Sequence, residues 1–215
     1  MSHYEQINLW EDLAQPSNLE TRPVSESLPL PNADIVFYPT LFTQEESQQF
    51  FSALQDGVNW KQEFIKIYGK SVPIPRLTAW YGDPGKKYIY SKIEMMPEPW
   101  NEVLLKIKSR IEPLAKVQFN SVLLNLYRDG KDSVSWHSDD EPELGQEPII
   151  GSVSFGESRQ FKLKHKSQEI KDEVKLTSGS FLLMQGTTQK FWLHQIPKVQ
   201  KSIGSRINLT FRVIS

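Results

Sequence analysis

The sequence predicts an α+β domain that is mainly β, and three observations lead there. Beyond about residue 120 the chain is a succession of short alternating segments separated by turn signals such as Asp129-Gly130, Gly156-Glu157 and Ser178-Gly179. Helical periodicity, by contrast, is confined to two stretches before residue 112. A length of 215 residues with 38% hydrophobic content suffices for one real core and would crowd a second full domain. Many short strands with a few helices at the start fit a double-stranded β-helix, a jelly roll with N-terminal helices packed on one sheet.

Residues 1–33 hold Pro16, Pro23, Pro29 and Pro31 among Ser, Glu and Asn without sustained periodicity, so they read as a flexible acidic extension that Leu9 and Trp10 could dock. The domain proper is expected over 34–215. Ile35-Val-Phe-Tyr38 reads as a strand. Thr43-Gln-Glu-Glu46 is a capping box that opens a helix running to about Leu54 and stopped by Asp56-Gly57. A second helix is expected from about Trp100 to Ile111, with Val103, Leu104, Ile107 and Ile111 on its apolar face. Strands follow at Ser121–Tyr127, Ser133–His137, Ile149–Phe155, Gln160–His165, Ser180–Met184, Lys190–His194 and Ile207–Val213.

Net charge is -1, but residues 1–34 carry -5 and the remainder +4. Residues 61–92 alone hold +5, interleaved with Tyr68, Trp80, Tyr81, Tyr88 and Tyr90. Basic groups for phosphate and rings for bases suit single-stranded nucleic acid, although a solvated sheet face over core aromatics has the same composition. The absence of cysteine excludes disulfides and thiolate metal sites, so a metal here must be held by nitrogen and oxygen. No run is long enough to cross a bilayer and the first residues do not resemble a signal peptide. A soluble, intracellular monomer is expected: cytoplasmic in a bacterium, nuclear or cytoplasmic in a eukaryote.

The chemistry-bearing pattern is His137-Ser-Asp139, with His194 far downstream and then Arg206-Ile-Asn208-Leu-Thr210-Phe-Arg212. Residues i and i+2 of an extended chain project to one side, so His137 and Asp139 can converge on one ion. Two imidazoles and a carboxylate leave coordination positions open, which suits ferrous iron that must also bind a co-substrate and dioxygen. A lone H-x-D is more often a solvated turn. The downstream segment adds weight, because its polar residues alternate with Ile207, Leu209 and Phe211. Two arginines pointing into an interior are costly unless an anion meets them.

At these residues the chain resembles the AlkB family of 2-oxoglutarate and iron(II) dioxygenases, and most of all its animal members that repair methylated DNA and RNA. The resemblance runs from about Ala33 to the C-terminus through Pro75–Asp83, Phe119–Tyr127, Trp136–Pro142, Ser152–Gly156 and Arg206–Arg212. It implies that His137, Asp139 and His194 ligate Fe(II). It also implies that Arg206 pairs with the distal carboxylate of 2-oxoglutarate beside Asn125 and Tyr127, with Asn208, Thr210 and Arg212 completing that site. The reaction implied is oxidative demethylation of 1-methyladenine or 3-methylcytosine, with release of formaldehyde, succinate and carbon dioxide. On the base side, Tyr90 matches the family's stacking aromatic, and Tyr88 and Arg76 lie in the same nucleotide-recognition segment. Asp140 and Glu141 resemble acids that read the exocyclic amine, although they could equally shape the turn before Pro142.

Tyr68 matches an apolar strand-separating finger. The segment Ser167–Glu173 matches a loop that is longer and more basic in a duplex-gripping relative. Single strands are therefore expected to be handled at least as well as duplex. Two other readings remain: the same oxygenase acting on a protein or small molecule, and a non-catalytic module with a degenerate metal site.

Overall fold

The computed structural model describes residues 23–85, 88–90 and 93–215, with backbone alone for 67, 88–90 and 93–95. Strands β1 (Glu26–Ser27) and β2 (Asp34–Tyr38) lead into helix α1 (Gln44–Gly57). Hairpin β3 (Phe64–Ile67) and β4 (Lys70–Pro73) precedes β5 (Leu77–Gly82), and hairpin β6 (Tyr88–Tyr90) and β7 (Ile93–Met95) precedes helix α2 (Glu102–Ala115). Then come β8 (Ser121–Tyr127), β9 (Val134–His137), β10 (Ile150–Gly156), β11 (Arg159–His165), β12 (Lys171–Leu176) and β13 (Ser180–Gln185). The short helix α3 (Thr188–Phe191), β14 (Trp192–Ile196) and β15 (Arg206–Arg212) complete the chain.

A seven-stranded sheet, in the order β1-β2-β13-β10-β15-β8-β5, faces a four-stranded one, β12-β11-β14-β9. Every pairing within these sheets is antiparallel, and the arrangement is the expected jelly roll. The two helices pack Phe50, Leu54, Leu104, Ile107 and Ile111 onto the outer face of the larger sheet, against Leu124, Phe155, Leu209 and Phe211. A second core between the sheets gathers Phe161, Leu163, Leu182, Met184, Trp192 and Ile196. Strand β15 serves both cores. Ile207, Leu209 and Phe211 face the helices, which leaves Arg206, Asn208, Thr210 and Arg212 between the sheets.

Local chemistry accounts for the helix ends. Thr43 Oγ1 accepts from Glu46 N at 3.2 Å while Thr43 N donates to Glu46 Oε2 at 2.8 Å, a complete capping box. Asn101 Oδ1 accepts from Leu104 N at 2.9 Å and starts α2. That helix runs four residues past the expected Ile111 and contains Pro113. The proline ring is exposed in the last turn, where one hydrogen bond is forgone so that Ala115 can still be buried.

Strands β3 to β7 and β12 lie where the sequence reading names none, and three further points differ from it. The strand expected at Lys190–His194 begins two residues later, because Thr187 O accepts from Lys190 N and Phe191 N and closes a helical turn first. The segment Ser167–Glu173 is a loop only as far as Ile170, since Lys171 opens β12 and pairs with Lys164. The extension expected over 1–33 lies outside the described residues up to 22, and its remainder is attached to the domain. Glu26 and Ser27 pair with β2, Leu28 and Leu30 pack on the inner core, and Pro31 O accepts from Trp192 Nε1 at 2.9 Å.

Candidate active site

Register brings the three proposed ligands together. His194 on β14 lies directly opposite His137 at the end of β9, and Asp139 follows two residues on. Ligand atoms of His137, Asp139 and His194 lie within 4.8 Å of one another, the only such His/Asp/Glu group among the described residues. His137 Nδ1 sits 2.8 Å from Ser135 O and must carry the proton to use that carbonyl, which leaves Nε2 as a lone-pair donor. Burial, with His137 alongside, pushes His194 down to about 3. It is neutral at physiological pH, the state in which imidazole binds a metal. Burial works the other way on Asp139 and would raise it, but Arg212 Nη2 at 2.5 Å from Oδ1, with the two histidines, holds the carboxyl below its ordinary value. Two imidazoles and a carboxylate with open coordination fit ferrous iron.

A narrow cavity of about 70 Å³ runs inward from these ligands and is lined by Asn125, Tyr127, Asn208, Thr210 and Arg206. Arg206 is 1% exposed. Its Nη2 donates to Ser154 Oγ at 2.9 Å, while Nε and Nη1 have no hydrogen-bond partner among the described residues. Burial lowers this guanidinium to about 10, with Arg159 pushing the same way and the Tyr127 hydroxyl opposing, so it stays charged at neutral pH. A buried cation with two unused donors asks for an anionic acceptor, and a carboxylate of 2-oxoglutarate matches that fork. The stripe beside it is braced internally. Thr210 Oγ1 donates to Asn208 Oδ1 at 3.0 Å, and Asn208 Nδ2 donates to Ser152 Oγ at 2.8 Å.

Other candidates are placed less simply. Asn125 Oδ1 accepts from Arg76 Nε at 2.7 Å, and Arg76 also reaches Ser133 O at 3.3 Å. Arg76 therefore lines both the narrow cavity and an outer one of about 390 Å³, which opens over His137 and Asp139 between Ile65, Ile74, Trp80, Trp136 and Glu141. Glu141 lines that outer cavity. Asp140 does not, because its carboxylate accepts from Ser138 Oγ at 2.8 Å and Lys166 Nζ at 3.1 Å. Tyr68 is fully exposed at the tip of the β3–β4 hairpin with φ 48°. The side chains of Tyr88 and Tyr90 lie outside the described residues.

Sequence reasoning missed Gln189, Ser154 and Arg159. Gln189 is 1% exposed on α3, and its Oε1 accepts the backbone N–H of Asp139 at 2.9 Å, tying the ligand-bearing loop to the segment before His194. No periodicity marks such a residue. Ser152 and Ser154 were legible in principle, since a strand pairing with β15 places them opposite Thr210 and Asn208.

The family profile of the 2OG-Fe(II) oxygenase superfamily matches residues 34–212. The mouse alpha-ketoglutarate-dependent dioxygenase alkB homolog 3 is 43% identical over 190 residues, covering 84% of this chain and 66% of the mouse protein. The human protein of that name is also 43% identical, with the same coverage. The chain thus spans just under two thirds of the length of these relatives. Human DNA oxidative demethylase ALKBH2 is 36% identical over 188 residues, covering 82% of this chain and 72% of that protein. The solved structure of OsALKBH1 superposes with a TM-score of 0.62 at 17% identity, covering 88% of this chain and all of the other, a likeness of fold alone.

Proposed function

Because the chain belongs to the AlkB family within the 2OG-Fe(II) oxygenase superfamily, we propose that it is an iron(II)- and 2-oxoglutarate-dependent dioxygenase that demethylates N-alkylated bases, 1-methyladenine and 3-methylcytosine, in DNA or RNA. One observation carries the substrate reading: the outer cavity of about 390 Å³ opens on His137 and Asp139 and sets the Glu141 carboxylate among aromatic and aliphatic walls. That volume falls within the rough 300–1,000 Å³ of small-ligand sites, enough for a base taken out of its stack.

His137, Asp139 and His194 would hold the iron, and Arg206 would receive the distal carboxylate of 2-oxoglutarate beside Tyr127. When bound, iron with 2-oxoglutarate and dioxygen oxidises the methyl carbon: one oxygen atom enters the N-methyl group, the other enters succinate as carbon dioxide leaves, and the N-hydroxymethyl base releases formaldehyde. The chain's own residues prepare the encounter. Arg206 offers its free Nε–H and Nη1–H in a site shielded from water, where charge-assisted bonds are strong. Glu141 favours a base that methylation has made cationic over a neutral, undamaged one. Ile65, Ile74 and Ile214 line the apolar part of the cavity. Tyr68, exposed at the hairpin tip, would wedge a strand, and Tyr88 and Tyr90 would contact the base, a role that rests on their sequence positions alone. A hydroxyl-bearing wedge and a short, charge-balanced 167–173 segment favour single strands at least as much as duplex.

Among the described residues no helix is long and apolar enough to cross a membrane. The proposed substrate places the work in the cytoplasm of a bacterium, or in the nucleus or cytoplasm of a eukaryote. The test is formaldehyde and succinate release from single-stranded and duplex oligonucleotides carrying 1-methyladenine or 3-methylcytosine, beside a His137→Ala control. Release of both products, lost in the control, is expected. Succinate without formaldehyde would overturn the substrate and leave the oxygenase.

A further inference from the structure

Arg159 is buried like Arg206 and Arg212, but unlike them it is left without a role by the proposed chemistry. It opens β11 in the smaller sheet and is 2% exposed, yet it forms no ion pair within 4.0 Å among the described residues. Its donors go instead to three backbone carbonyls: Nη1 to Asp129 O at 3.3 Å, and Nη2 to Asp132 O at 2.8 Å and Pro197 O at 2.6 Å. The carbonyls belong to two segments that already press together. Val199 N donates to Gly130 O at 2.7 Å, and a Cβ on Gly130 would lie 2.5 Å from Val199 O. Each segment continues directly into the inner cavity wall, Asp132 through Ser133 to Val134 and Pro197 back to Ile196.

The guanidinium carbon of Arg159 also lies over the Tyr127 ring at 5.5 Å, and that of Arg206 lies over the same ring at 5.2 Å. Tyr127 and Arg206 are register partners on β8 and β15 of the larger sheet. Arg159 therefore joins the two sheets behind the very residues that line the anion end of the cavity. Two buried guanidinium groups sharing one ring repel each other, and a dianion arriving at the free donors of Arg206 relieves that repulsion.

We propose that Arg159 is a positioning residue for 2-oxoglutarate: it pins the 129–132 and 197–199 segments and the Tyr127 ring as the back wall of the anion site, and its charge favours a dianionic occupant. The inference rests on the functional reading above. Arg159 touches neither metal ligands nor substrate, so its effect is confined to the co-substrate.

Isothermal titration of the Mn(II)-loaded full chain with 2-oxoglutarate tests this, using Arg159→Met and Arg159→Lys beside the wild type, with oligonucleotide affinity and steady-state kinetics measured in parallel. Loss of both charge and fork in Arg159→Met should weaken 2-oxoglutarate binding by about tenfold. Arg159→Lys, which keeps the charge and loses the fork, should fall within about threefold of wild type. KM for 2-oxoglutarate should rise in step, with kcat and oligonucleotide affinity little changed. Unaltered 2-oxoglutarate affinity in the folded variants, or equal weakening of co-substrate and oligonucleotide, would overturn the assignment and leave Arg159 a general strut. Should the Met variant fail to fold, Arg159→Gln, which loses the charge but keeps hydrogen-bond donors, takes its place, and wild-type 2-oxoglutarate affinity with an unchanged KM in that variant would overturn it too. A wild-type chain that binds no 2-oxoglutarate would instead overturn the functional reading, and this inference with it.

Discussion

Replacing Gln189 by Leu removes one hydrogen bond at the metal site while nearly conserving volume. Gln189 Oε1 accepts the Asp139 N–H at 2.9 Å, and both residues are buried, at 1% and 3% exposure. Water cannot substitute there, so the orphaned amide should cost about 1–3 kcal/mol. Part of that appears as lost stability of the metal-free protein, and part as misdirection of the ligand. At about 1.4 kcal/mol per decade, the whole cost at the metal would weaken binding roughly 5- to 150-fold. Arg212 still holds the Asp139 carboxylate at 2.5 Å, so only the backbone half of its support is lost. The expected result is about a tenfold weaker Mn(II) affinity, the lower end of what partners of metal ligands contribute. Titration calorimetry of the metal-free protein with Mn(II) reads this directly, and thermal melts in chelator read the stability share. A Leu variant that keeps both its melting temperature and its Mn(II) affinity would refute the idea that this bond supports Asp139.

Tyr68→Ala should lower demethylation of duplex by about tenfold and leave single strands nearly unaffected, because an exposed ring at a hairpin tip assists only where strands must be parted; equal losses on both substrates would show that Tyr68 separates nothing. Gly179 has φ 80°, and a Cβ there would lie 2.5 Å from Phe42 O, so Gly179→Ala should cost at least about 2 kcal/mol and lower the melting temperature by roughly 4–8 °C. Asp132 carries an acid-sensitive ion pair away from the metal ligands: burial would raise its carboxyl, but Arg128, bonded at 2.7 and 2.8 Å, holds it below its ordinary 3.8. Its stabilisation is therefore present above that value and lost as pH falls through the lower, folded one. The melting-temperature gap between wild type and Asp132→Asn should be widest near neutrality and shrink below about pH 4, and a gap that widens in acid would contradict the pairing.

How much of this was legible beforehand depended on the range of the interactions involved. Two-residue alternation in Arg206–Arg212 already dictated that one face would be polar, and the spacing of His137 and Asp139 that both could meet one ion. The capping box at Thr43 and the apolar stripe of the second helix were likewise written in adjacent residues, because a helix end is satisfied within one turn. The direction of Asp140 was not. Whether it faces a base or Lys166 depends on a lysine 26 positions away, and the fold chose the lysine. Gln189 meets Asp139 across 50 residues and Arg159 meets Pro197 across 38, contacts made only once distant strands of the smaller sheet lie side by side. Local pattern thus determined which residues face inward and which chemistry they offer, since burial face follows from the period of the backbone. Tertiary structure alone decided which inward groups touch, because hydrogen bonds between distant strands depend on register and turn geometry that no short segment contains.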